Sequence, residues 1–74
     1  MSDTFSGKQV IFALQKWFDF KIVGQKGSHV KLRKRTESET ITTIVPLHKE
    51  LAQGTLHGIL RLAKIEYSEF RKHK

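Results

Sequence analysis

The succession of apolar patterns along this chain predicts an α+β sandwich, with helices covering one face of a three-stranded antiparallel sheet. Three observations lead there. A stripe of helical period opens the chain, three short β-prone segments separated by turn residues follow, and a second helical stripe closes it. At 74 residues, the whole chain (1–74) is expected to form one domain, ordered over 6–70, close to the size below which folding needs covalent staples.

The first helix is expected to begin at Ser6. Ser6 with Gln9 three residues later matches a capping box, and Val10, Ile11, Leu14, Trp17 and Phe18 then fall on one stripe. Lys8, Gln9, Gln15 and Lys16 lie opposite, and Phe12 sits among them on the polar side. Asp19 marks the turn into the sheet. Residues 20–25 alternate well enough for a strand, Gly27 allows a tight turn, and residues 29–35 form the second strand. Residues 36–38 read as a hairpin loop. Residues 39–45, rich in Thr and Ile, are the third strand, which Pro46 ends because it lacks a backbone N–H. A loop leads to Gly54, and from Thr55 a second stripe of Leu56, Ile59, Leu60, Leu62 and Ala63 predicts a helix with His57, Arg61 and Lys64 on its polar side. Ile65, Tyr67 and Phe70 suggest a short final helix packing back on the core, followed by a frayed tail over 71–74.

Side chains of a strand alternate faces. In the second strand Val30 and Leu32 therefore point one way, and His29, Lys31, Arg33 and Arg35 the other. If the apolar pair is buried under the helices, the other row faces solvent, since an antiparallel sheet can leave one face bare. That face carries an imidazole, which exchanges protons near neutral pH, in line with cations that attract phosphate.

Fourteen Lys and Arg against seven Asp and Glu give a formal charge of +7. Lys21, Lys26, Lys31, Arg33, Lys34 and Arg35 all fall between Phe20 and Thr36, with no acidic residue among them. Such a patch concentrates polyanions. It is equally what a solvated strand edge uses to discourage aggregation, and an acidic partner protein would also fit it. There is no cysteine, which suits a reducing compartment. No apolar run is long enough to span a membrane, and the first residues lack the basic-then-apolar pattern of a signal peptide, so a cytoplasmic protein is expected. The spacing of His29, His48, His57 and His73 matches no metal site, and no Gly-rich phosphate loop precedes a helix. His57 and Arg61 lie four apart on the second helix; a DNA-reading role is weak because most of that helix is spent on the core. Trp17 and Phe18 belong to the core stripe rather than to a base-stacking platform.

Three stretches, with a fourth at the second helix, together resemble the HicA toxins. Ser6-Gly7-Lys8 opens the first helix, Lys26-Gly27-Ser28-His29 matches the Gly-Ser-His signature, and Val45-Pro46-Leu47-His48 matches the strand-ending Pro-x-His. Gly54-Thr55-Leu56 with Ile59-Leu60 matches the entry to the second helix. The resemblance runs from about Ser6 to Phe70 and implies a double-stranded-RNA-binding-domain-like fold, α-β-β-β-α. It further implies a toxin of a toxin–antitoxin pair that cleaves mRNA without metal or other cofactor, with a HicB antitoxin as partner and His29 as the catalytic histidine. The longer basic run Arg33-Lys34-Arg35 and the acidic Glu66 before Tyr67 depart from the pattern without touching the signature.

RNA carries its own nucleophile, the 2′-hydroxyl. Cleavage needs a proton removed from that oxygen, one supplied to the leaving 5′-oxygen, and charge stabilised on the phosphoryl oxygens. His29 is expected as general acid or base, with Lys26, Ser28, Lys31 and Arg33 as phosphate-binding candidates and His48 as a possible second histidine. Ser28 and Gly27 also have a plain role in turn chemistry. The alternative is a non-catalytic module gripping double-stranded RNA by shape and phosphate contacts on the same face.

Overall fold

The computed structural model describes residues 4–73; Met1 to Asp3 and the last residue of the expected frayed tail, Lys74, lie outside them. The elements run α1 (Gly7–Trp17), β1 (Lys21–Lys26), β2 (His29–Arg35), β3 (Thr40–Pro46), α2 (Gln53–Ala63) and α3 (Tyr67–Phe70), continued by a 3-10 turn, Arg71–His73. The strands form an antiparallel meander in the order β1-β2-β3. This is the α-β-β-β-α order that the apolar pattern predicts.

Helix α1 starts where its cap dictates. The Ser6 hydroxyl accepts from the Gln9 N–H at 3.1 Å, and the Gln9 side chain accepts from the Ser6 N–H at 2.8 Å. Its buried face, Val10, Ile11, Ala13 and Leu14, meets Val30 and Leu32 of β2, Ile41 and Val45 of β3, and Leu56, Ile59, Leu60 and Ala63 of α2 in one core. The buried part of the sheet's inner face is therefore apolar except for Thr43, whose hydroxyl donates to the Ile59 carbonyl at 2.8 Å. Phe70 of α3 seals the far side against the edge of Phe5, with ring centroids 5.1 Å apart.

Several expectations need correction. Strands β1 and β3 are each displaced one residue towards the C-terminus, Phe20 being core and Pro46 the last paired residue of β3. Helix α2 begins at Gln53, two residues before the expected Thr55, with no side-chain cap to mark the start. Leu62 is exposed because it lies about 110° around α2 from the mean direction of the four buried positions. Trp17 is on the correct angular stripe yet about half exposed. The last turn of α1 extends past the core, and what reaches the indole is His73, stacked on it at 4.7 Å. The expected fraying over 71–74 is thus replaced, at Arg71–His73, by a turn held through Trp17 and Phe18.

Candidate functional site

The outer face of the sheet is built by three cross-strand rows. Lys26, His29 and Pro46 form the first, Gly24, Lys31 and Ile44 the second, and Lys21, Arg33 and Thr42 the third. Facing residues in adjacent strands bring their Cβ atoms to about 4.5–5.5 Å, so the side chains of a row are neighbours, with a gap in the second row at Gly24. His29 and Lys31 are exposed while Val30 and Leu32 between them are buried, as the alternation requires.

Two local devices put the cations there. Lys21 and Lys26 are five residues apart, and strict alternation would send them to opposite faces. The register shift between Ile22 and Gly24 inserts one residue, so that Lys21 faces Arg33 and Lys26 faces His29 on the same side. The loop between β1 and β2 is two residues long. Gly27 has φ +59° and Ser28 is not in the left-handed region, the pattern of a type II′ hairpin that favours glycine first. The Gln25 side chain donates to the Gly27 carbonyl at 2.9 Å and holds the turn that presents His29.

Lys26, His29 and Lys31 line one shallow concavity with Val23, Gly24, Gln25 and Ile44. Arg33 lies outside it, its Nε donating to the Thr42 hydroxyl at 3.3 Å. Ser28 does not line the concavity; its carbonyl accepts from the Leu47 N–H at 2.7 Å, a structural contact. His48 is exposed two residues beyond the His29–Pro46 pair and does not line it either; its carbonyl accepts from the Gly7 N–H at 2.9 Å. The expected set is therefore divided: three residues gather, and Arg33, Ser28 and His48 stand apart. Val23 and Ile44, both nearly half exposed, are apolar walls that the charge-based reading missed. Gly24, a glycine inside a strand, was the available signal for the bulge.

The concavity contains no acidic residue, so nothing in it offsets the charge of Lys26 and Lys31. Among the described residues no three His, Cys, Asp or Glu side chains gather as metal ligands, and no helix is long and apolar enough to cross a membrane. What the arrangement offers is one proton-transfer group between ammonium groups on an open face. It is matched to an extended polyanion rather than to an enclosed small molecule.

The three signature stretches meet at this end of β2. The Ser28 carbonyl is bonded to Leu47, the His48 carbonyl to Gly7, and Gly7 lies so close to the Pro46 carbonyl that no side chain fits between them.

Fold and face together define a small basic α+β protein with one sheet surface left bare and lined by cations. Residues 7–65 match the family model for the HicA toxin of bacterial toxin–antitoxin, and the chain belongs to that family. It is accordingly the toxin of a toxin–antitoxin system, with an antitoxin as partner, and the family suggests a toxin of the ribonuclease type. A search of curated proteins found no match to the chain.

Proposed function

We propose that the chain is a metal-independent endoribonuclease that cleaves mRNA at the Lys26–His29–Lys31 concavity, with His29 moving the proton. The observation that carries this reading is an exposed histidine flanked by two lysines in a concavity without carboxylates.

In this reading His29 takes the proton of the 2′-hydroxyl as that oxygen attacks the adjacent phosphorus. The bond from phosphorus to the 5′-oxygen breaks, leaving a 2′,3′-cyclic phosphate on one fragment and a 5′-hydroxyl on the other. Water or a lysine ammonium supplies the proton to the departing oxygen, since His48 does not share the concavity. Lys26 and Lys31 offset the charge that builds on the phosphoryl oxygens. DNA lacks the nucleophile and is not cut. The antitoxin, a HicB-like protein, silences the toxin by covering this face with acidic side chains.

The test incubates wild-type and His29→Ala protein with a labelled single-stranded RNA in EDTA. Wild type is expected to leave a cyclic phosphate end, and His29→Ala to cut slower by about 10²–10⁴-fold while still binding RNA. If the variant cuts as fast, the assignment of His29 is wrong. If neither protein cuts and both bind, the face is a binding module for RNA and nothing more.

A further inference from the structure

The bare face does not end at the His29 concavity. Beyond it the sheet forms a second concavity, lined by Asp19, Lys21, Val23, Arg33, Lys34 and Arg35. Val23 lines both, so the two are contiguous across one apolar ridge. Arg33 is four residues along β2 from His29, about 13 Å at the rise of a strand.

Three cations point onto this end of the face. Lys21 and Arg33 face each other across the β1–β2 ladder, and Arg35 follows two residues on, on the same side. Lys34 points inward instead, its ammonium 5.9 Å from the centre of the Phe20 ring. Glu39 is engaged by Lys64 and Glu69 by Lys72, so neither neutralises this cluster. Among the described residues, Lys21, Arg33 and Arg35 have no ion-pair partner. Three like charges held together cost stability through mutual repulsion unless a ligand offsets them. The Arg33 guanidinium is already oriented by its bond to the Thr42 hydroxyl.

We infer that Lys21, Arg33 and Arg35 form a second phosphate site, which grips the backbone of an RNA strand at a distance from the bond presented to His29. The inference rests on the ribonuclease reading above for the identity of the ligand. A strand is the occupant that fits, because it repeats its charge along its length and can reach both concavities across Val23. A nucleotide held at one concavity cannot. Asp19 at the rim repels the same phosphates and moderates the grip. It lies in the left-handed region with φ +63°, where asparagine is tolerated as well as aspartate.

The test uses the full chain and a long 2′-O-methylated RNA, which lacks the nucleophile and stays intact whatever His29 does. Replacing Lys21 and Arg35 together by alanine should weaken binding about tenfold at low salt. It should also reduce the slope of log affinity against log salt by about 0.7 for each cation removed. The charge-preserving pair Lys21→Arg and Arg35→Lys should restore the slope, and Asp19→Asn should tighten binding. A second readout uses cleavable substrates. An RNA dinucleotide without a terminal phosphate (NpN) has one phosphate, the one to be broken, and cannot fill the second site while it is cut. The preference for long RNA over the dinucleotide, as a ratio of kcat/KM, should therefore drop about tenfold in the double alanine variant. Parental affinity, salt slope and length preference in that variant would overturn the second site, even with His29-dependent cleavage intact. Should His29→Ala cleave normally, the reading of the active site fails, and the salt slopes still decide this one.

Discussion

The two faces of β2 meet opposite demands within seven residues. On the inner face Val30 and Leu32 are sealed against Leu14, Leu56 and the rest of the core, and each packs in one way only. On the outer face His29 and Lys31 stand in solvent, and their neighbours across the ladders are a lysine, a proline, a glycine and an isoleucine. Packing fixes the first set, whereas the second is fixed only by where the backbone carries it. Stability and activity should therefore separate along one strand, and substitutions on alternate residues can show it.

The largest effect on stability is expected at Leu32, which is fully buried. Leu32→Ala leaves a cavity under both helices and should cost about 2–5 kcal/mol. A chain of this size has about 4–11 kcal/mol in total at the usual stability per residue. Urea unfolding followed by circular dichroism should show a much lower midpoint, or no folded baseline at all. His29→Ala, three residues away, should destabilise by less than about 0.5 kcal/mol while slowing cleavage about 10²–10⁴-fold. A large loss of stability in His29→Ala would break the comparison, because the outer face would then be structural as well.

This asymmetry also explains what could be read from the sequence. The inner face was legible because burial imposes a period. The Val30–Leu32 alternation and the Ser6–Gln9 cap appear in the structure as the sequence predicts, and so do the stripes of α1 and α2 except at Trp17 and Leu62, which are exposed. The outer face was legible only on β2. On β1 the bulge breaks the period, so Lys21 and Val23 could not be assigned to the His29 side by counting, although Gly24 marked the place. On β3 the outward Ile44 looked like any other strand residue. His48 was drawn towards the site by its chemistry, and only the length of β3 showed that it lies past the His29–Pro46 pair. Trp17 was misread because a helical stripe says which way a residue points and not whether the core extends that far.

The next effect in size tests where the two faces are joined. Gly7 lies in the first turn of α1, where alanine is the better helix former by about 1 kcal/mol. A Cβ at this position would lie 2.1 Å from the Pro46 carbonyl oxygen and 3.0 Å from the Leu47 Cα, backbone atoms that cannot swing aside. Sterics should win over propensity, and Gly7→Ala should lose about 1–3 kcal/mol instead of gaining. Pro46 is the ladder partner of His29, so cleavage at a temperature where the variant is folded should fall as well. A thermal midpoint equal to or above wild type would mean that α1 can shift away from β3 without cost, and the two faces would then be uncoupled at this end.

The smallest effect sharpens what the inner face demands. Thr43 stands opposite Leu32 in the ladder, a polar side chain in the centre of an apolar layer. Its hydroxyl donates to the Ile59 carbonyl and so ties β3 to the middle of α2. Thr43→Val keeps the branched shape and adds a methyl in place of the hydroxyl, so packing is nearly preserved and the lost bond is isolated. An intramolecular hydrogen bond contributes about 0.5–1.5 kcal/mol net, and the variant should lose about that much, read as a lower urea midpoint with an unchanged m-value. The cavity of Leu32→Ala and the missing bond of Thr43→Val act on facing residues, so their effects should not add in the double variant. If Thr43→Val is instead more stable, apolar burial alone positions α2 on the sheet, and the inner face needs no polar contact to set the register that exposes His29.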